Sequence, residues 1–313
     1  MKKIPIITIE GPTAAGKSAL ALQLARELHT ELISADSRQV YRYLDIGTAK
    51  PSAHELAEIP HHCINIINPD EQYTAGRFAR DASAIAQQLH QAGCLPIVVG
   101  GTGFYVQSLL QGLAAIPPIP QDVRDALASY AQDGGDAALY ARLAEVDPAA
   151  AQRISDRDVH KMLRALEVYE ATGKTITQYW QEQQSRQQFA PFRILLTDQR
   201  QRLYERINQR VDAMVAAGLI EEVRNLLQRY DETDPGMVTV GYRELYPYLR
   251  GQSELASCLE EIQKNTRRYA KRQFTWYRRQ SFDLTLEAET VIFSDIKIII
   301  KTWMDKRRVL GCT

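Results

Sequence analysis

The segment Gly11-Pro12-Thr13-Ala14-Ala15-Gly16-Lys17-Ser18 constrains this chain more than any other stretch of it. It fits the phosphate-loop pattern GxxxxGK[ST], which a chain of this length would match by chance roughly one time in a hundred. The apolar run Ile4–Glu10 precedes it and a helical pattern over Lys17–His29 follows, which is the strand–loop–helix context the pattern requires. Such a loop turns successive backbone N–H groups toward one anion, and the helix N-terminus adds partial positive charge. Lys17 can reach an outer phosphate and Ser18 can ligate Mg²⁺. The motif fixes a site for a phosphorylated molecule without naming it.

The surrounding pattern predicts the fold. Strand-like runs at Glu31–Ser34, Cys63–Ile67 and Leu95–Val99 alternate with helical patterns at Ala75–Gln91 and Gly103–Leu110. That alternation predicts an α/β phosphate-loop fold, a parallel sheet with helices on both faces. A proline cluster, Ala115-Ile116-Pro117-Pro118-Ile119-Pro120, breaks it. Only helical patterns follow, to about Gln188, and they read as an inserted all-helical domain. In it, Asp147-Pro148 suits a helix start, and an amphipathic helix through Met162, Leu166 and Tyr169 stops near Gly173. Arg193–Thr197 returns to the sheet, a long helix follows through Leu203, Ile207, Val211 and Leu219, and Gly241–Arg279 is again helical. The expected organisation is a first part of the core at 1–114, the helical insertion at 115–190, a last strand and C-terminal helices at 191–285, and an unassigned tail at 286–313.

No run of roughly 18 apolar residues is present, so no membrane span is expected. The start Lys2-Lys3-Ile4-Pro5-Ile6-Ile7 is too short in apolar length for a signal peptide. Cys63, Cys94, Cys258 and Cys312 lack the spacing of a zinc site or disulfide framework, and a reducing cytoplasm is the expected setting. His61 and His62 have no acidic or Cys partner at ligand spacing and read as structural.

Function must come from the sheet rim, because ligands of open parallel sheets sit at the carboxyl ends of the strands. The second strand ends in Asp36-Ser37-Arg38-Gln39, followed by Asp45-Ile46-Gly47-Thr48-Ala49-Lys50-Pro51. Asp at such a point is ordinarily a turn or helix-capping residue. Its place beside the phosphate loop favours a catalytic carboxylate. Gly100-Gly101-Thr102-Gly103 forms the next rim loop. No Asn-Lys-x-Asp base-reading motif of a GTPase is present, and Asp198, which could end a motor-ATPase strand, reads as a cap on the long helix.

GPTAAGKS, SADSRQVY, DIGTAKP, GGTGFY, RALEVYEATGK and KRQFTWYRR occur in that order between Ile4 and Arg279. Together they resemble the tRNA dimethylallyltransferases. The resemblance implies transfer of a dimethylallyl group from dimethylallyl diphosphate, with Mg²⁺, to N6 of adenosine at position 37 in the tRNA anticodon loop. It implies catalytic roles for Asp36, Lys17, Thr102 and Arg210, diphosphate binding by Gly11 through Ser18, and Mg²⁺ on Ser18. Contacts to the tRNA anticodon stem-loop are implied at Asp36, Ser37, Arg38, Gln39, Thr102, Arg124, His160, Lys161, Met162, Leu163, Arg164, Gly241, Tyr242, Arg243, Lys271, Arg272, Gln273 and Arg278. A monomer is expected. Two departures stand out: the family commonly has Met where Arg38 stands and Gly-Met where Tyr43-Leu44 stands.

The chemistry asks for these groups. Adenine N6 is a weak nucleophile, and an allylic diphosphate compensates because its developing cation is delocalised. The loop N–H groups, Lys17 and Arg210 would stabilise the departing diphosphate, at roughly 2.7–4 kcal/mol per good donor. Asp36 would take the N6 proton, an aid of about 10²–10⁴-fold. Arg202 and Arg206 share a helix face with Arg210 but read as solvated, paired with Glu205, Asp212 or Glu221. The Lys264–Phe282 stretch carries seven basic residues and no acidic one, with Tyr269, Phe274, Trp276 and Tyr277 interleaved. Such a face neutralises RNA phosphates, while its aromatics stack on bases or face the core. The alternatives are a phosphate-loop small-molecule kinase, which leaves this helix without a role, and an RNA-binding protein without transferase activity, which leaves Asp36 idle.

Overall fold

A computed structural model of the chain describes residues 3–114, 116–183, 188–289 and 293–309. Strand β1 (Ile4–Glu10) passes through the phosphate loop into helix α1 (Lys17–Leu28). Then come β2 (Leu32–Ser34), α2 (Ala53–Glu58), β3 (His61–His62), α3 (Ala75–Gln91), β4 (Ile97–Gly100) and α4 (Gly103–Gln111). Four helices follow: α5 (Gln121–Val146), α6 (Pro148–Arg153), α7 (Val159–Thr172) and α8 (Ile176–Gln183). The chain continues with β5 (Phe189–Thr197), α9 (Arg200–Ala216), α10 (Leu219–Leu227), a 3₁₀ turn at Arg243–Leu245, α11 (Tyr246–Leu249), α12 (Leu255–Tyr277), β6 (Leu284–Glu287) and α13 (Phe293–Val309).

The sheet runs β3-β2-β4-β1-β5-β6 and every pairing is parallel. A parallel sheet is covered on both faces, so its central strands are buried and largely apolar. Alternate residues serve separate cores. Ile6, Ile33 and Val98 pack with Phe78, Val106 and Leu219, while Ile7, Leu32 and Ile97 pack with Leu24, Leu203 and Ile300. This is the α/β phosphate-loop sheet that the alternation predicts.

The chain divides into two compact units, Met1–Leu110 with Gln188–Thr313, and Gln111–Gln187. The second is helical and has its own core, including Leu139, Leu143, Met162, Leu166 and Val168. Within it the Asp147 carboxylate caps α6 by accepting the Ala150 N–H at 3.0 Å. It also accepts the Thr177 N–H at 3.0 Å and the Thr177 hydroxyl at 2.8 Å, which ties α6 to α8.

Several elements differ from the sequence expectations. The third strand is His61–His62 rather than Cys63–Ile67, because Cys63 (φ 62°) and Asn65 (φ 56°) take left-handed backbone that ends extension. The long helix stops at Ala216, and α10 starts beyond Gly218. Residues 241–279 form a 3₁₀ turn and two helices rather than one helical run. Strand β6 was not anticipated. In the tail, α13 buries Ile296 and Ile300 in the core that also holds α1. Ala115 of the proline cluster, and the tail residues 290–292 and 310–313 with Cys312, lie outside the described residues.

Candidate functional site

The phosphate loop leaves β1 at the carboxyl edge of the sheet. At Gly11 (φ 150°) a Cβ would overlap the Leu196 carbonyl of β5, so glycine alone lets the loop turn away here. Lys17 donates from Nζ to the Pro12 carbonyl at 2.7 Å, across the loop. Burial lowers its pKa to about 8, with Asp36 raising it and Arg210 lowering it further. Lys17 is therefore electrostatically coupled to Asp36, which the sequence places on the rim, and to Arg210 of α9.

Asp36 follows β2 and makes a turn. Its Oδ1 accepts the Arg38 N–H at 2.8 Å and the Gln39 N–H at 3.4 Å. Thr102 buttresses that turn: its Oγ1 accepts the Ser37 N–H at 3.0 Å, and its own N–H donates to the Ala35 carbonyl at 3.1 Å. Gln39 joins the turn to the next motif, donating from Nε2 to the Thr48 and Ala49 carbonyls at 3.3 and 3.2 Å. Two cavities meet at this point. One, of about 380 Å³, is lined by Ala14, Gly16, Lys17 and Ser18 of the phosphate loop. The other, of about 280 Å³, is lined by Ile207, Val211 and Met214 together with Arg38, Gly241, Arg243 and Arg272. Thr13, Asp36, Thr48, Ala49, Arg210 and Tyr269 border both.

The three arginines of α9 separate by their partners. Arg206 and Arg202 both pair with Asp198, and Arg202 also with Glu289. They are thus ion-paired, but with none of the expected partners Glu205, Asp212 and Glu221, and their shared partner is buried. Asp198 is not the N-cap of α9, which is Gln199 without a side-chain bond; its buried carboxylate accepts the Gln199 N–H at 2.6 Å and pairs with these arginines. Among the described residues no carboxylate pairs with Arg210. Surrounding protein and the Arg206 guanidinium lower its pKa, which marks it as a cation in want of an anion.

Lys271 and Arg272 are exposed on α12, and Arg278 is exposed at its C-cap. In the helical unit Arg124, His160, Lys161 and Arg164 are exposed, with Lys161 paired to Asp158 and Arg164 to Glu167. Three side chains are buried instead of offered to a ligand: Met162 in the core of the helical unit, Tyr242 under the Asp45–Gly47 loop, and Gln273 between two rim loops. Leu163 is partly buried against the same core as Met162. The aromatics of α12 mostly face inward, Phe274 and Tyr277 toward the cores and Trp276 against Phe104. His61 and His62 are held by the Ile59 carbonyl at 2.7 Å and by Glu31 at 2.6 Å, a structural use.

Sequence reading missed Glu222 and Tyr269. Glu222 accepts N–H bonds from Asp45, Ile46 and Gly47 and the Tyr242 hydroxyl at 2.6 Å, which holds the loop carrying Thr48 and Ala49. A lone Glu on a helix gives no such signal. Tyr269 was visible only as one aromatic among four; it borders both cavities within reach of Thr102, and burial pushes its pKa up to about 12. No cluster of three or more metal-ligating His, Cys, Asp or Glu occurs among the described residues. The residues that could hold a cation are Ser18, at the cavity mouth, and the oxygens of a bound phosphate. No helix among the described residues is long and apolar enough to cross a membrane.

Comparison with known proteins identifies the family. The IPP transferase family matches residues 39–280, and the isopentenyl transferase family residues 4–66. The chain is 44% identical over 302 residues to tRNA dimethylallyltransferase 1 of Syntrophotalea carbinolica, covering 95% of this chain and 96% of that one. It is 45% identical to the tRNA dimethylallyltransferase of a Roseiflexus species, covering 96% and 99%. Among solved structures it is similar to the full-length tRNA isopentenylpyrophosphate transferase of Bacillus halodurans, with TM-score 0.73, 34% identity and all of both chains covered. A eukaryotic dimethylallyltransferase acting on tRNA superposes with TM-score 0.81 at 30% identity, over 91% of this chain and 74% of that one.

Proposed function

The chain belongs to the IPP transferase family, among the tRNA dimethylallyltransferases, and from that premise we propose that it transfers the dimethylallyl group of dimethylallyl diphosphate to N6 of adenosine 37 in the tRNA anticodon loop, releasing diphosphate. The observation that carries this reading is the meeting of two cavities at Asp36, Thr13 and Arg210. One presents the phosphate loop, the other an apolar wall of Ile207, Val211 and Met214 suited to a short hydrocarbon chain. A kinase would use the first and leave the second without purpose.

In this reading the diphosphate lies on the loop N–H groups, between Lys17 and Arg210. Lys17 turns from the Pro12 carbonyl to a phosphate oxygen. The N6 lone pair attacks the allylic carbon as the carbon–oxygen bond breaks, and both cations stabilise charge on the leaving diphosphate. The Asp36 carboxylate accepts the N6 proton. Ser18 and the diphosphate oxygens suit Mg²⁺, which takes few protein ligands and keeps waters; when bound it supplies further charge neutralisation. Thr102 acts by holding the Asp36–Ser37 turn. The anticodon stem-loop is held by Lys271 and Arg272 on α12 and Arg278 at its C-cap, by Arg38, Gly241 and Arg243 at the second cavity, and by Arg124, His160, Lys161 and Arg164 on the helical unit. The protein works as a monomer in the cytoplasm.

The test is incubation with unmodified tRNA and dimethylallyl diphosphate labelled in its hydrocarbon. Label is expected in the RNA, on a single adenosine after nuclease digestion. Folded protein that leaves the RNA unlabelled while phosphorylating a small molecule from ATP would overturn the reading.

A further inference from the structure

Gln273 sits at the centre of the site, yet no step above uses it. Its side chain is buried on α12. The amide oxygen accepts the Thr13 N–H at 2.9 Å, and Nε2 donates to the Gly101 carbonyl at 2.8 Å. One partner is a donor and the other an acceptor, so they fix which amide atom faces which. Gly101 permits the approach, since a Cβ there would stand 2.5 Å from Nε2. Tyr277, one turn further along α12, donates to the same carbonyl at 3.3 Å.

The two loops joined by this amide have separate tasks. Thr13 belongs to the loop that takes the diphosphate. Gly101 leads into Thr102, which accepts the Ser37 N–H and so supports the turn at Asp36. One buried side chain therefore sets the spacing between the leaving-group loop and the turn bearing the proton acceptor. The geometry points to Gln273 as a positioning residue for the transfer, acting through Thr13 and Gly101 rather than on RNA. This rests on the transferase reading. Reacting groups misplaced by one ångström can lose about a hundredfold in rate, so a spacer of this kind has leverage on turnover.

The bond pattern supplies a specific test. The position needs an acceptor toward Thr13 and a donor toward Gly101. A neutral carboxylic acid of the same length offers both, whereas a carboxylate offers only acceptors and opposes the Gly101 carbonyl. In Gln273→Glu, burial will hold the new carboxyl neutral to higher pH than usual. Turnover relative to wild type should then rise roughly tenfold or more from about pH 8 to about pH 5.5. Lys17, Asp36, Glu55, His61, Arg210 and Tyr269 share the cavity and also titrate, but they are present in both proteins and largely cancel in the ratio. Gln273→Met, with neither bond, should stay low at every pH. Gln273→Asn keeps the amide but is a methylene too short to span both loops; it should also lose about tenfold in turnover, with tRNA affinity within threefold of wild type.

A flat ratio for Gln273→Glu, or turnover within twofold of wild type in Gln273→Asn or Gln273→Met, overturns the inference. So does a loss of tRNA affinity equal to the loss of turnover, which would make Gln273 an RNA contact. Wild-type protein that labels no RNA removes the transferase reading and this inference with it; wild type that labels RNA beside unaffected variants removes the inference alone.

Discussion

The proposed mechanism asks Asp36 to join a structural use and a chemical one in a single side chain. The turn reading of this residue is realised, since Oδ1 accepts the Arg38 and Gln39 N–H groups, and the proposed mechanism draws on the other oxygen. Asp36→Asn separates the uses. Its amide oxygen can keep the turn, which places the NH₂ where a proton has to be accepted. Turnover is expected to fall roughly a hundredfold or more, with pyrophosphate affinity changed by less than threefold. Single-turnover rates and pyrophosphate titration check this, and near-normal turnover would remove the general base. Lys17 gives a pH prediction. Its pKa of about 8 lies below the ordinary 10.5 because burial disfavours the ammonium. A bound diphosphate favours that ammonium, so binding near pH 8 should take up a proton, and affinity should decline as pH rises above that value. Calorimetry in two buffers of different ionisation enthalpy measures the uptake; none would leave Lys17 outside the diphosphate site. Tyr43 accounts for one family departure: its φ of 67° is left-handed, where glycine fits. The ring packs under the Arg229 guanidinium, 4.4 Å from its centroid. Tyr43→Gly and Tyr43→Ala both lose that contact, so their difference reports the backbone, and Gly should be the more stable by about 1 kcal/mol in urea unfolding.

At the scale of elements, the loop Asp45–Ala49 depends on α10. Glu222 accepts three consecutive backbone N–H groups and the Tyr242 hydroxyl, and bonds to a charged acceptor are worth about 1.5–3 kcal/mol each. Glu222→Ala should therefore speed amide exchange at Asp45, Ile46 and Gly47 well above any change in β1. Unchanged exchange there would show that other contacts hold the loop. The same loop shows what a sequence can carry. The phosphate loop was legible because its spacing is the mechanism, and the β-α alternation because a parallel sheet leaves apolar runs. The Asp36 and Thr102 rim followed from where strands end. Glu222, Gln273 and the Asp198 pairing were not legible. Glu222 and Gln273 meet backbone groups far along the chain, and no local period encodes such a match; Asp198 lies only four and eight residues from its arginines, but a strand-ending Asp before a helix equally suits a cap. The third strand was misplaced for a related reason: Cys63-Ile64-Asn65-Ile66-Ile67 has strand composition, but two of its residues are left-handed and its N–H groups at Asn65, Ile66 and Ile67 bond to the Gln39 and Val40 carbonyls. Strand β6 is short and half-exposed, so it lacks the apolar run that marks the central strands.

For the whole molecule the charge balance conceals a division. Acidic and basic residues number 38 each, so no general attraction draws the protein to RNA, and affinity must come from segregated cations. The structure separates cations already engaged within the protein from those without an ion pair among the described residues. Lys264 pairs with Glu261, and Arg267 is bonded to Asn208 of α9 at 2.7 Å, so it braces two helices. Lys271 and Arg278 are exposed, with no ion pair to either among the described residues. Each phosphate neutralised releases condensed counterion and contributes roughly 0.7–0.9 to the slope of log K against log salt. Lys271→Ala combined with Arg278→Ala should then flatten the slope for tRNA by about 1.4–1.8 and weaken binding most at low salt. Arg267→Ala should lower the melting temperature while leaving the slope near that of wild type. Filter binding across a salt series distinguishes the cases. A slope unaltered by the double variant would assign these two cations to solvent, and a slope flattened by Arg267→Ala would place the RNA on the α9 side of the helix instead.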